Sequence, residues 1–251
     1  AALVESERYR SASIAELPYA WSQWMVVYDD PEKVEAEEVG KKTHLAPRLK
    51  EVLDRAKQDL IIISPYFVPG DAFTAYLAEK VSRGVRVRIL TNSLAANDVL
   101  LVHAGYMCHR KELIKGGVEL YEFKALNVKK KKGGKTGGWR ISSRASLHAK
   151  SFTFDEEYIF VGSFNLDARS VALNTEIGVY FRSPENALKI SRKFDEQALK
   201  RAYRVELVDD ELTWTTMQDG RRTRFDAEPE TGWWQRFYIR LLSMIVPESQ
   251  L

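Results

Sequence analysis

Leu147-His148-Ala149-Lys150-Ser151-Phe152-Thr153-Phe154-Asp155-Glu156-Glu157-Tyr158-Ile159-Phe160-Val161-Gly162-Ser163-Phe164-Asn165 is the stretch from which the fold and the chemistry of this chain are read. Its flanks alternate with period two, so His148, Lys150, Phe152 and Phe154 share one face of a strand, and Ile159, Val161, Ser163 and Asn165 share one face of the next. A two-residue turn at Glu156 and Glu157 pairs Asp155 with Tyr158, Lys150 with Ser163 and His148 with Asn165. The polar side chains then converge at one end of a β-hairpin.

Those residue types suit a phosphodiester. The substrate is anionic, so a nucleophile reaches phosphorus only where fixed donors neutralise the non-bridging oxygens. Lys150 and Asn165 can do that, and Ser163 adds a hydroxyl hydrogen bond. A neutral imidazole can attack phosphorus and divide one displacement into two through a phosphohistidine, which makes His148 the candidate nucleophile. Asp155 lies beyond the turn, where an ion pair that fixes the hairpin is the natural role. A half-buried hairpin with His148 and Lys150 as surface side chains is the alternative.

The spacing His148-x-Lys150-(x4)-Asp155-(x6)-Gly162-Ser163-x-Asn165 resembles the HKD motif of the phospholipase D superfamily, and Asn174-Thr175-Glu176 resembles that family's downstream Asn-x-Glu element. The resemblance implies that Asp155 belongs to the site. It also implies that Glu176 holds the His148 tautomer and stabilises the developing cation. The leaving alkoxide is then protonated by the histidine of a second HKD motif across a pseudo-twofold axis. His44, His103 and His109 do not begin a second copy. The partner is therefore a first HKD half of the same protein or a second copy of the chain.

Further blocks at residues 64–70, 83–87, 117–122, 165–170 and 247–251 resemble the second half of bacterial cardiolipin synthases, nearest to the C-type branch. The chain opens Ala1-Ala2-Leu3 without an initiator Met and without a secretory n-region and h-region, so a preceding segment is expected. The expected organisation is a connector and lead helix over 1–58, a phospholipase D-like catalytic half over 59–205 with its motif at 148–165, and an aromatic and basic tail over 206–251.

Composition agrees. The chain has 251 residues, 45% hydrophobic and 29% charged, with a net charge of +3, which fits a folded protein. No apolar run approaches the roughly 18 to 20 residues of a membrane span. The single Cys108 excludes an internal disulfide and fits a reducing compartment. No Cys/His cluster has zinc spacing, so neither metal nor cofactor is expected. Helical spacing over 45–58, a short aliphatic strand over 60–64, a helix capped by Asp71 to about 82, a strand over 85–91, a helix over about 105–115 and a strand over 118–123 precede the hairpin. A strand over 175–181 and a helix over about 184–203 follow it. The expected fold class is α/β, a phospholipase D-like mixed β-sheet flanked by helices on both faces, carrying one HKD half.

Residues 124–154 contain nine Lys or Arg and no acid, centred on Lys129 to Lys132 and broken by Gly133, Gly134, Gly137 and Gly138. This reads as a basic loop that suits anionic headgroups or a nucleic-acid backbone, or serves as a solvated linker. The run from Trp233 to Val246 mixes aromatic, basic and aliphatic residues at helical spacing; it either packs on the domain or a missing half, or lies in a membrane interface. Tyr66 and Phe67, with His103 and Tyr106 of the segment that matches the family, are candidate groove-lining residues, although a helix start with a buried aromatic explains the last two equally.

Three functions follow. The resemblance implies a phosphatidyltransferase that forms phosphatidyl-His148 and passes the group to a phosphatidylglycerol hydroxyl, giving cardiolipin. Its partners are then an anionic phospholipid and the membrane surface, and its place is the cytoplasmic face of the bacterial inner membrane as a peripheral protein. The alternatives are a dimeric phosphodiesterase or nuclease and an inactive membrane-binding half. Nucleic acid is not expected as a partner, because a minimal nuclease needs neither the long lead nor the aromatic tail.

Overall fold

A computed structural model describes residues 21–35, 39–40, 43–127 and 144–245. Ten strands form one sheet: β1 (Trp24–Tyr28), β2 (Asp59–Ile63), β3 (Arg86–Asn92), β4 (Glu119–Phe123), β5 (Ser151–Phe154), β6 (Tyr158–Gly162), β7 (Ile177–Arg182), β8 (Ala202–Val208), β9 (Glu211–Gln218) and β10 (Arg221–Phe225). Their spatial order is β1-β7-β6-β5-β2-β3-β4-β8-β9-β10. The central β2, β3 and β4 run parallel, and the other neighbours pair antiparallel. The helices are α1 (Leu45–Asp54), α2 (Gly70–Ser82), α3 (Leu100–Lys115), α4 (Ala168–Ala172), α5 (Pro184–Arg201) and α6 (Trp233–Ile245).

The aliphatic run of β2 explains the layering. Leu60 and Ile62 share a core with Leu49 and Leu53 of α1, Leu77 of α2 and Leu113 of α3. Ile61 and Ile63 point the other way, into a second core with Ile190 and Phe194 of α5. A parallel strand buried on both faces reads as a continuous hydrophobic run, and this one does. The mixed sheet with helices on both faces is the architecture expected from the sequence.

The hairpin differs from expectation by one residue. Phe154 rather than Asp155 stands opposite Tyr158, and Ser151 opposite Val161. Asp155 and Glu156 take left-handed φ values of 51° and 53°, and Glu157 N donates to Phe154 O at 2.9 Å, so a type I′ turn closes the loop. Left-handed backbone at a non-glycine residue costs roughly 1 kcal/mol. The Asp155 carboxylate offsets it by accepting from the amides of Lys57 (3.0 Å), Gln58 (2.8 Å) and Asp59 (2.9 Å). In this register Gly162 N, not Ser163, bonds the carbonyl of Lys150 at 3.2 Å.

The lead stretch supplies β1, which pairs with β7 at the sheet edge, and the stretch read as a tail supplies β9 and β10 as well as α6. These two strands hang on two-residue turns, Asp209-Asp210 (φ 52° and 61°) and Asp219-Gly220 (φ 50° and 75°). Helix α3 begins five residues before its expected start, and Asp71 falls inside the first turn of α2, with Pro69 as N-cap. The basic run around Lys129 to Lys132 lies outside the described residues.

Candidate active site

The hairpin brings His148 and Lys150 to one end of the sheet. His148 is exposed just before β5; Lys150 is half-buried. Lys150 Nζ lies 3.3 Å from His148 Nδ1 and 3.2 Å from the His148 carbonyl oxygen. An ammonium offers only donors, so in this contact His148 Nδ1 is the acceptor. Burial lowers the Lys150 pKa below the ordinary lysine value, while the carboxylates of Glu176, Asp167 and Asp98 act in the opposite direction.

Glu176 is buried immediately before β7. Its Oε1 accepts from Ser170 Oγ at 2.9 Å and its Oε2 from Ser163 Oγ, which in turn accepts from Ile177 N at 3.1 Å. Ser163 reaches this carboxylate because the β5–β6 ladder has ended at Gly162 and its own amide has moved over to Ile177 O at 2.9 Å. Asn165 is half-buried, and its Oδ1 is shut off from solvent with no partner. A buried acceptor left so is costly unless a donor completes it; toward a phosphodiester, whose oxygens only accept, this side chain can act through its Nδ2 donors. Asp155 sits at the far tip of the hairpin, away from these groups.

Two residues that sequence reasoning missed hold the Glu176 segment in place. Asp29 Oδ2 accepts from Glu176 N at 2.7 Å and Oδ1 from Leu45 N at 2.5 Å. Lys33 Nζ bonds Asp29 Oδ2 at 2.8 Å, Ser170 O at 2.9 Å and Asn174 O at 2.7 Å. Both side chains are 0% exposed. The sequence showed Asp29 only as part of a turn before Pro31; an acid and a lysine four residues apart were visible, but that pattern is ordinary on helix surfaces.

The remaining candidates lie behind the site. Tyr66 is half-buried, and its hydroxyl donates to Asp98 Oδ1 at 2.9 Å; burial and that carboxylate push its pKa up to about 12. Phe67 is buried, its ring 6.0 Å from that of Tyr106. His103 and Tyr106 are buried in a polar cluster. Tyr106 donates to Glu122 Oε1 at 3.0 Å, Trp214 Nε1 to Glu122 Oε2 at 2.9 Å, and Arg110 to Glu228 Oε1 at 2.7 Å and to His103 Nε2 at 2.5 Å. Burial and the Arg110 charge lower the His103 pKa. Among the described residues no group of three or more His, Cys, Asp or Glu is placed to hold a metal.

An open apolar groove of about 690 Å³ lies among α1, α2 and α4, lined among others by Leu49, Leu53, Phe73, Phe164, Leu166 and Val171 and by none of His148, Lys150, Ser163, Asn165 and Glu176. Phe164 and Leu166 flank Asn165 in the chain, so the polar and apolar sites share one loop.

Residues 49–198 match the family described as "Cardiolipin synthase, PLD-like domain". The chain is 39% identical over 237 residues to cardiolipin synthase C of Escherichia coli (strain K12), covering 92% of this chain and 49% of that protein. It is 30% identical over 128 residues to cardiolipin synthase B of the same strain, covering 51% of this chain and 26% of that protein. The chain thus spans about half the length of the first of these relatives, and less of the second. The fold is similar to Nuc, a phospholipase D family member from Salmonella typhimurium, with TM-score 0.52 and 16% identity over 74% of this chain and 99% of that one. Phosphatidylserine synthase of Haemophilus influenzae Rd KW20 gives the same TM-score and identity over 72% of this chain and 39% of its own. Helices on both sides of a mixed sheet, the cluster around His148 and these likenesses converge: the chain belongs to the phospholipase D-like family of cardiolipin synthase domains.

Proposed function

We propose that the chain is one catalytic half of a phosphatidyltransferase that makes cardiolipin by transesterification through a phosphatidyl-His148 intermediate. The observation that supports the reading is the Lys150 ammonium 3.3 Å from His148 Nδ1, a cation set against a candidate nucleophile, on a chain that belongs to the family of cardiolipin synthase domains.

His148 attacks phosphorus through Nε2, which needs its proton on Nδ1. In the contact described above Nδ1 is the acceptor, so binding must change the tautomer. An arriving phosphate draws the Lys150 ammonium onto its oxygens, Nδ1 becomes the donor, and Glu176 accepts from it as the Ser163 hydroxyl turns to the phosphate. Asn165 completes the anion site. The P–O bond to the leaving alkoxide breaks as the N–P bond forms, and a histidine from a first HKD half or a second copy of the chain gives the alkoxide its proton. In the second step the hydroxyl oxygen of an acceptor phosphatidylglycerol bonds phosphorus as the N–P bond to His148 breaks, and the histidine that protonated the leaving alkoxide, now neutral, takes the hydroxyl proton. Exclusion of water by the bound lipids keeps transfer ahead of hydrolysis. Asp155 acts as a support and not as a reactant. No described helix is long and apolar enough to cross a membrane, and the proposed place is the cytoplasmic face of the inner membrane, held peripherally.

The test is incubation of the complete two-half protein with labelled phosphatidylglycerol. Cardiolipin should form, and His148→Ala should lower its rate by about 10³-fold or more, as removal of a nucleophile does. Wild-type-like yield from His148→Ala removes the mechanism. Plasmid DNA degradation by the 251-residue chain alone, lost in Lys150→Ala, replaces the lipid reading with a nuclease.

A further inference from the structure

Helix α6 carries a surface that the catalytic site does not use. It packs on α3 through the buried Ile239 and the partly buried Leu242, against Leu94, Leu100, Ala104 and Met107. Its other apolar residues face outward: Trp234 is 73% exposed and Met244 83%, and Trp233, Phe237, Tyr238, Leu241 and Ile245 are exposed as well. Positions 234, 237, 238, 241, 244 and 245 recur at helical spacing and form one stripe. At its start Trp233 stacks on Phe237 with ring centroids 5.5 Å apart, and Trp234 meets Trp233 edge-on at 4.4 Å. A contiguous aromatic and aliphatic stripe left in water marks an interaction surface.

The chemistry of the stripe says what covers it. The helix contains Arg236 and Arg240 and no acid, so its charge suits an anionic partner. Trp and Tyr combine an apolar body with a polar edge, which matches the headgroup boundary of a bilayer, and the aliphatic residues follow them along the helix. Orientation agrees. Ala104 packs with Ile239, and Cys108 Sγ lies 4.0 Å from Ser243 O, so α6 runs in the same sense as α3. The start of α3 directly follows Asp98, the partner of Tyr66 and a neighbour of Lys150. The aromatic end of α6 therefore lies toward the side of the domain on which the site opens.

We propose that α6 is a bilayer-docking helix that lies in the interface of an anionic phospholipid membrane, with Trp233, Trp234 and Tyr238 at headgroup depth and Leu241, Met244 and Ile245 in the acyl boundary. It deepens the lipid reading by naming the surface through which the chain meets its substrate's membrane, yet its test needs no catalysis.

The experiment is co-sedimentation of the 251-residue chain with vesicles of phosphatidylglycerol and phosphatidylcholine, and with phosphatidylcholine alone. Binding is expected to the anionic vesicles and to weaken with salt. The double variant Trp234→Asp/Met244→Asp should lower partition by about tenfold or more while leaving the far-ultraviolet spectrum and thermal midpoint unchanged, because both side chains stand in solvent. His148→Ala should bind as the parent does. The proposal is overturned if the double variant binds vesicles normally. It is equally overturned if the parent ignores vesicles and instead self-associates through a contact that the double variant abolishes. Vesicle binding by this chain, together with no cardiolipin from the complete two-half protein, would leave the docking helix standing and remove the proposed reaction.

Discussion

Lys33→Met should destabilise the domain by about 3 kcal/mol, the lower end of the ~3–5 kcal/mol range for removing one member of a buried ion pair. The ammonium lies 2.8 Å from Asp29 Oδ2, 2.9 Å from Ser170 O and 2.7 Å from Asn174 O. Methionine keeps most of the stem volume and deletes all three bonds, so Asp29 becomes a buried anion without its cation. The lower end applies because Asp29 retains the amides of Leu45 and Glu176. Domains of this kind hold roughly 5–15 kcal/mol, so the variant still folds. With a urea slope of about 2–3 kcal/mol per molar, the unfolding midpoint should fall by about 1–1.5 M. The double variant Asp29→Asn/Lys33→Met, which removes the stranded charge, should recover about 1–2 kcal/mol of the loss. Amide exchange at Glu176 should quicken in both. A loss below about 1 kcal/mol in Lys33→Met, or a double variant no better than the single one, would refute the argument that this pair carries the Glu176 segment.

Further outcomes follow from other contacts. Burial raises the Glu228 pKa, but the His103 ring and Arg110 guanidinium hold it down to about 2; a depressed carboxyl contributes stability that is present above its ordinary value and lost as pH falls through the folded one. About 3 kcal/mol of stability relative to Glu228→Gln should therefore disappear between about pH 4.5 and pH 2, read from denaturant unfolding at each pH. Asp155→Asn keeps the left-handed turn but halves the acceptors for Lys57, Gln58 and Asp59, and should cost about 1–2 kcal/mol with faster amide exchange at those three positions. A methyl group at Gly178 would sit 2.3 Å from the Phe160 ring, so Gly178→Ala should cost about 1–3 kcal/mol in thermal unfolding, and Phe160→Leu in the same chain should return part of it.

Strong periodicity made the fold legible. The run Leu60 to Ile63, the alternation around Asp155 and the helical spacing of α1, α2 and α5 all carried signals that local chemistry obeys. The strands β9 and β10 were not legible although Asp209-Asp210 and Asp219-Gly220 are hairpin dipeptides, because Thr213 to Thr216 are buried in succession and three of the four are threonine, which leaves no clean apolar alternation in Glu211–Gln218. The one-residue register difference arose because Glu156 takes a left-handed conformation it does not favour, beside Asp155, which tolerates it; the amides of Lys57, Gln58 and Asp59 that hold Asp155 there are distant in sequence. The motif spacing pointed to Lys150 at His148 and to Ser163, which bonds Glu176. Pairing patterns could not reveal Asp29 and Lys33, since what matters there is burial against a loop more than 130 residues away.

One carboxylate gathering three amides fastens the hairpin tip to the first residue of β2. A signature that looks like a roster of reagents thus mixes two demands, one set by the reaction and one set by closure of the chain. Lost turnover in a variant of Asp155 would conflate them, whereas the yield of soluble, folded protein would tell them apart. In this chain Asp155 fastens the hairpin tip to the strand beside it, so a variant there loosens the joint on which His148 and Lys150 are carried.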